Sequence, residues 1–113
     1  MGNSSNIKVK LLNKDIASII ISEPKTYNAL SFKNLGDLIK AFKKLDEDKN
    51  IKVIIIEGSG RGFSAGHNLK EVSGLKQREK YQKLFNLCSK LMLQIVEGKK
   101  PVIAKVHGAA FAA

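Results

Sequence analysis

The sequence is short of the residues that would mark a disulfide scaffold: it has no tryptophan, two prolines and a single cysteine, Cys88. One thiol cannot form an internal disulfide, which fits a reducing compartment. Cys88 falls on the apolar stripe of a predicted helix, so we expect it to be a buried structural thiol.

Long apolar runs are also missing. None approaches the roughly 20 residues that a membrane-spanning helix needs, so we expect no membrane association. The N-terminus carries neither the apolar core of a secretory signal nor the arginine-rich stretch of an organelle leader. A cytoplasmic location is therefore the default expectation.

Arginine is scarce although the chain is basic. The formal charge is +10, yet only Arg61 and Arg78 among the 20 basic residues are arginine. The lysines are spread along the whole chain, whereas nucleic-acid-binding surfaces concentrate arginine and interleave aromatic residues. We expect no nucleic-acid partner, but a basic surface would attract an anionic ligand by long-range steering.

What is present suits one folded α/β domain. Of the 113 residues, 43% are apolar and 27% are charged, which is the range of globular proteins. Hydrophobic periodicity predicts strands and helices in the order ββαβαβ, and the strand–helix–strand unit from 51 to 106 is a right-handed crossover by default. The predicted strands are 7–12, 16–21, 53–56 and 102–106, and the predicted helices are 32–45, capped by Ser31, and 77–97.

The ends of the chain differ in character. Residues 1–6 are polar and are expected to be disordered, and 7–113 are interpreted as one truncated domain. The segment 108–113 is small and apolar, which is unusual for the end of a finished domain. The run Val53-Ile54-Ile55-Ile56 predicts a strand buried on both faces, as in a parallel sheet covered by helices.

A glycine-rich loop follows that strand, from Gly58 to Gly66. Such a loop can bring backbone N–H groups close to a ligand. The string of a phosphate-binding P-loop is absent, and Phe63 stands where a dinucleotide-binding fingerprint needs its third glycine. On glycine content alone, a plain connection between strand and helix remains open.

Three ordered motifs resemble those of the crotonase superfamily, the enoyl-CoA hydratase/isomerase family. Their strings are EPKTYNALS at 23–31, FSAGHNLKE at 63–71 and KKPVIAKVHGAAFAA at 99–113. The resemblance covers most of the chain from about residue 7 onward. It implies an α/β fold of the crotonase-like ββα spiral type, of which this chain would be the N-terminal portion only.

The same resemblance implies an acyl-CoA enzyme of the hydratase, lyase or isomerase kind, acting in fatty acid metabolism. The thioester enolate would be stabilised by an oxyanion hole made of the backbone N–H groups of His67 and Ala113. Coenzyme A would be the carrier part of the substrate, with no separate cofactor and no metal. The full-length parent would be a homotrimer or hexamer. The implied coenzyme A contacts are Lys25, Ala65, Asn68, Leu69 and Lys70.

Departures from the family pattern leave a second interpretation open. Asn68 replaces the commoner Asp, His67 replaces a small residue, and Ala112 and Ala113 replace Gly. The two glutamates of the family's hydratases would lie beyond Ala113, so the fragment is expected to be inactive alone. The alternative is a non-catalytic acyl-CoA-binding homologue.

The two histidines are a further candidate pair. Without a carboxylate or cysteine at ligand spacing, His67 and His107 are weak evidence for a metal or catalytic site. His107 ends a strand that is predicted to be buried, so we expect a packed residue there.

Overall fold

The computed structural model describes residues 5–23, 28–60, 63–64 and 77–107. The predicted order of elements is confirmed, and the first helix ends two residues later than predicted. The elements are β1 (Ile7–Leu11), β2 (Ile16–Ile21), α1 (Phe32–Glu47), β3 (Val53–Gly58), α2 (Gln77–Glu97) and β4 (Val102–Lys105).

The strands form a sheet whose spatial order, β1-β2-β3-β4, repeats their order in the chain. β1 and β2 are an antiparallel hairpin, with Ile7 opposite Ile21. β2 pairs with β3 and β3 with β4 in parallel, so α1 and α2 are the crossover connections. The carboxyl ends of β2, β3 and β4 therefore meet at one edge of the sheet, which we call the carboxyl edge.

Helix α1 begins at a side-chain cap. The Ser31 hydroxyl accepts a hydrogen bond from the Asn34 N–H at 3.0 Å, which satisfies one of the free donors of the first turn. The other end is closed by Lys100, whose ammonium donates to the carbonyl oxygens of Leu45 and Asp48. A cation at this position also complements the negative end of the helix dipole.

Both helices pack on the same face of the sheet, where they form the core. Strand residues of alternating position point to this face because successive side chains of a strand alternate in direction. Burial of these apolar groups is the dominant favourable contribution to folding. Side chains with at most 2% exposure in this core are Ala17, Ile19, Ile21, Leu35, Leu38, Phe42, Ile54, Leu84 and Leu91.

Helix α2 buries one stripe and exposes another. Leu84, Cys88 and Leu91 face the core, which confirms the predicted burial of the thiol. Loss of hydration in this setting raises the pKa of Cys88 above the ordinary thiol value. Phe85 and Val96 lie on the outer stripe and are 54% and 80% exposed. Within the described residues, no helix combines the length and apolar character needed to cross a membrane.

Two expectations about burial are wrong. In β3 only Ile54 and Gly58 are fully buried, since the helices cover one face of the sheet. His107 is exposed rather than packed, because β4 lies at the edge of the described sheet and three of its four residues are exposed.

Candidate functional site

The carboxyl edge is where the topology favours a ligand site. In open parallel sheets, ligands bind beyond the carboxyl ends of the strands, because the loops that leave those ends converge there. Here the segments after β2, β3 and β4 contribute Glu23, the loop that begins at Gly58, and His107. Hydrogen bonds join all three of these segments.

Asn28 lies at the centre of these bonds and is fully buried, with 0% exposure. Its backbone has a φ of 58°, in the left-handed region that asparagine tolerates better than most residues. Its N–H donates to the Glu23 carbonyl oxygen at 2.9 Å. Its side-chain Oδ1 accepts from the Glu23 N–H at 2.7 Å. Asn28 thus closes the turn that follows β2.

The same amide also holds the loop after β3. Asn28 Nδ2 donates to the carbonyl oxygens of Ser59 and Phe63, at 2.8 and 3.1 Å. In return, the Ser64 hydroxyl donates to the Asn28 carbonyl oxygen at 2.8 Å. The turn after β2 and the loop after β3 are therefore bonded together through one side chain and one main-chain carbonyl.

Gly58 makes this close approach possible. A Cβ at this position would lie 2.2 Å from the Phe63 carbonyl oxygen and 2.8 Å from Asn28 Nδ2. Both distances are shorter than a Cβ atom can tolerate, and the first involves backbone that cannot swing aside. The loop therefore folds back over the end of β3 only because glycine occupies position 58.

Three further contacts fasten the loop to the ends of the neighbouring strands and to the residues that follow them. The Ser59 N–H donates to the Ile21 carbonyl oxygen at 2.9 Å, and the hydroxyls of Ser59 and Ser22 are 3.1 Å apart. On the other side, His107 Nε2 lies 2.9 Å from the Gly60 carbonyl oxygen. Gly60 itself has a φ of 83°, a conformation that favours glycine.

An apolar cavity of about 170 Å³ opens beneath the loop, between the sheet and the two helices. Among the described residues that line it, only Ser64 is polar, and the Ser64 hydroxyl is already bonded to Asn28. The other residues that line the cavity are Ile21, Leu30, Leu38, Ile56, Phe63, Leu91, Met92 and Ile95.

A larger, open groove of about 450 Å³ lies at the opposite edge of the sheet. It is lined by the turn after β1 and by residues 48–52, including Lys14, Asp15 and Asp48. Volume alone would favour it as a ligand site. We place the candidate site at the carboxyl edge instead, because the loops that converge there are interlocked by buried hydrogen bonds, whereas the residues lining the groove are mostly exposed.

All seven residues predicted for the site lie outside the described residues, so their roles remain predictions. They are Lys25, Ala65, His67, Asn68, Leu69, Lys70 and Ala113. The structure does describe the segments that precede most of them. Gly58 to Gly60, Phe63 and Ser64 come before the predicted residues in 65–70, and β4 and His107 come before Ala113. Among the described residues, no group of three His, Cys, Asp or Glu side chains is placed to hold a metal.

Sequence reasoning missed Asn28, Gly58 and the His107 contact with Gly60. Asn28 belongs to the first motif, and an isolated Asn beside a proline-containing turn is a residue type that adopts the left-handed conformation. That signal points to a turn. It does not reveal which carbonyl groups the amide reaches, since these lie 31 and 35 residues further along the chain.

Comparisons with known proteins agree with this architecture. Residues 12–113 match the family described as enoyl-CoA hydratase/isomerase. A Xenopus laevis relative, named enoyl-CoA hydratase domain-containing protein 3, mitochondrial, is 41% identical over 98 residues, which are 87% of this chain and 33% of the relative. The human protein of the same name is also 41% identical over 98 residues, covering 87% of this chain and 32% of its own length.

A solved structure shows the same fold. The crystal structure of a Mycobacterium smegmatis enoyl-CoA hydratase superposes with a TM-score of 0.86 at 36% identity, over 93% of this chain and 41% of that one. The predicted fold class, α/β of the crotonase type, is confirmed. The chain spans about a third of the length of the two curated relatives.

One expectation is corrected by the same comparisons. A cytoplasmic location was the default, but both animal relatives carry the word mitochondrial in their names. The lack of a leader pattern in the first residues of this sequence is therefore no guide to its compartment.

Proposed function

Because the chain belongs to the enoyl-CoA hydratase/isomerase family, we propose that it forms the N-terminal part of an acyl-CoA site in which backbone amides stabilise a thioester oxyanion. The observation that carries the proposal is the interlocked carboxyl edge. There the loop after β3 is fixed to the turn after β2 by Asn28 and to the end of β4 by His107. His67 lies three residues after Ser64, and Ala113 lies six residues after His107.

Backbone N–H groups suit this chemistry. When a base removes a proton next to the thioester carbonyl, or when water adds to a conjugated double bond, negative charge develops on the carbonyl oxygen. Donors that are already in place stabilise that charge without reorganising as it forms. Each such donor contributes about 10²- to 10³-fold to kcat in enzymes where one has been removed.

Charge supports a coenzyme A ligand. The carrier is rich in phosphate, and the chain has a formal charge of +10. Such a surface raises the rate at which an anionic ligand meets the site, and the effect weakens as salt is added. We assign the coenzyme A contacts to the side chains of Lys25 and Lys70 and to the backbone of Ala65, Asn68 and Leu69. No separate cofactor and no metal enter the proposed reaction.

Turnover requires more than these amides. The family's hydratases use two glutamates to activate water and to deliver a proton, and this chain matches only about a third of its relatives. We propose that the 113-residue chain binds acyl-CoA weakly and does not hydrate it. The protein at full length, by the same proposal, is an enoyl-CoA hydratase or isomerase and forms a homotrimer or hexamer.

The test exploits proline, which lacks the backbone N–H. His67→Pro removes the proposed donor, and His67→Ala is the matched control that removes the imidazole but keeps the N–H. The ligand is acetoacetyl-CoA, whose enolate form places a negatively charged oxygen at the carbonyl position. Titration calorimetry on the natural-length gene product should show about a 10²-fold weaker Kd for His67→Pro and little change for His67→Ala.

Two results would count against the proposal, and a third would support acyl-CoA binding without catalysis. Equal affinities of the two His67 variants would remove this amide from the site. No binding of any CoA ester by the unmodified protein would refute the acyl-CoA function as a whole. Tight binding without hydration or isomerisation of crotonyl-CoA by the natural-length protein would favour the alternative, a non-catalytic acyl-CoA-binding homologue.

A further inference from the structure

The amide of Asn28 has a position from which it can control the geometry of the proposed site. Its Nδ2 bridges the carbonyl oxygens at the two ends of the loop segment 59–63. The main-chain carbonyl oxygen of Asn28 accepts a hydrogen bond from the hydroxyl of Ser64, the residue after Phe63. The three bonds fix both ends of a segment that ends a few residues before His67.

Burial makes these bonds costly to lose. Asn28 is 0% exposed and Ser64 is 5% exposed, so water does not replace a missing partner without local opening. A buried carbonyl oxygen that loses its donor keeps the desolvation cost of burial without the compensating bond. The Phe63 carbonyl oxygen would be left in that state if the Asn28 side chain were removed.

Other bonds of the loop do not use the Asn28 side chain. At the near end, Ser59 keeps its main-chain bond to Ile21, and Gly60 keeps its contact with His107. At the far end, the Ser64 hydroxyl keeps its bond to the Asn28 main-chain carbonyl oxygen, but the Phe63 carbonyl oxygen loses the Nδ2 donor. Loss of the Asn28 amide should therefore leave the start of the loop in place and loosen its far end at Phe63, on the side that leads to His67.

We propose that Asn28 is a positioning residue for the thioester site: it holds the far end of the loop after β3 so that the His67 amide meets the carbonyl oxygen. The inference rests on the proposed function. Asn28 touches neither substrate nor reacting atoms in this scheme and acts through the carbonyl oxygens of Ser59 and Phe63.

Two substitutions test the side-chain amide of Asn28 separately from its left-handed backbone conformation. Asn28→Gly removes the side chain and accepts a φ of 58° without strain. Asn28→Asp keeps the size and the acceptor for the Glu23 N–H, but it turns a carboxylate oxygen toward two carbonyl oxygens. If the Nδ2 donor holds the loop, both variants should bind acetoacetyl-CoA more weakly. Asn28→Asp should then not restore the affinity that Asn28→Gly loses.

The control must lower stability without touching the loop. Leu45→Ala serves, because Leu45 is 5% exposed and lies in the last turn of α1, at the opposite edge of the sheet. All variants are compared at a temperature where circular dichroism shows each of them folded. This removes global unfolding as an explanation of any difference.

Two ligands distinguish positioning from a general structural role. Acetoacetyl-CoA presents the carbonyl oxygen to the proposed amides, and a CoA thioether of equal chain length lacks it. Titration calorimetry on the natural-length gene product should give Asn28→Gly and Asn28→Asp an affinity for acetoacetyl-CoA about 10- to 100-fold weaker, with the thioether affinity changed less than about threefold. Leu45→Ala should leave both affinities unchanged.

The outcomes separate this inference from the function on which it rests. If the unmodified protein binds neither ligand, the acyl-CoA function fails and the inference falls with it. If the unmodified protein binds both ligands and the Asn28 variants lose both equally, or lose neither, the function stands and the positioning role is overturned. Amide hydrogen exchange adds a ligand-free check, since faster exchange in 59–64 than in Leu45→Ala is expected for both Asn28 variants.

Discussion

His107 Nε2, two residues after β4, lies 2.9 Å from the Gly60 carbonyl oxygen in the loop after β3. A carbonyl oxygen only accepts hydrogen bonds, so Nε2 must carry the hydrogen. Both the imidazolium and the neutral Nε2–H tautomer meet that requirement. The contact therefore joins the two segments that lead toward the proposed oxyanion amides, whichever of these two forms the ring adopts.

Removal of the donor from His107 should loosen this junction locally. We expect His107→Phe to speed amide hydrogen exchange in 59–60 and 102–106, with a small change in the urea midpoint because the residue is exposed. His107→Gln retains an N–H donor and should stay closer to the unmodified chain. Equal exchange rates in the two variants would show that the contact does not hold the segments together.

Alanine substitutions at Gly58 and Gly36 should change the free energy of unfolding in opposite directions. Gly58→Ala places a Cβ 2.2 Å from the Phe63 carbonyl oxygen and should lower the free energy of unfolding by about 2–3 kcal/mol. Gly36 lies inside α1, and a Cβ added there would meet no atom within 4 Å, so Gly36→Ala should raise it by about 0.5–1 kcal/mol. Urea denaturation measures both, and a shared sign would contradict the packing around Gly58.

Lys100 should stabilise the end of α1, whereas its neighbour should not. Lys100→Met removes the ammonium from the Leu45 and Asp48 carbonyl oxygens and should lower the free energy of unfolding by about 1 kcal/mol. Lys99→Met makes the same change in net charge and leaves the Lys99 N–H bond to Asp46 in place. A similar loss in both variants would assign the effect to net charge rather than to the cap.

Burial of the Cys88 thiol predicts a pH dependence of stability. The pKa of Cys88 is raised in the folded chain by desolvation. The unfolded thiol then ionises first, so the stabilisation is complete below the ordinary thiol pKa of about 8.5 and is lost as the pH rises through the folded value. Cys88→Ala should show a shallower fall in unfolding free energy as the pH rises above about 8.5.

The control for that experiment is chemical. In the folded chain Cys88 is 8% exposed, so alkylation of the thiol should be slow in buffer and fast in denaturant. Identical pH profiles for the unmodified chain and Cys88→Ala would show that the folded and unfolded thiols share one pKa.

The sequence predicted the elements because their periods are strong. Helix α1 repeats apolar residues at Leu35, Leu38, Phe42 and Leu45, and Ser31 marks its start, so its position follows from local chemistry. The strands follow from β-branched runs that end at Pro24, Gly58 and similar breaks. These signals lie within the segments themselves and do not depend on the rest of the fold.

The junctions between elements could not be predicted in the same way. The partners of Asn28 are main-chain carbonyl groups, which every residue carries and which leave no trace in the letters of a sequence. The exposure of His107 depends on β4 being at an edge, which is a property of the sheet rather than of the strand. The seven predicted site residues lie outside the described residues, so their roles rest on the motifs.

The sheet order suggests how the chain is built during synthesis. Each strand pairs with the one made just before it, and β1 to β4 emerge from the ribosome in the order in which they lie side by side. Within the described sheet, the partner of each strand after β1, on its β1 side, has already been made when that strand emerges. A sheet in this order can grow in the direction of synthesis, and the loop after β3 can receive Asn28 as soon as it appears, since Asn28 has already been translated.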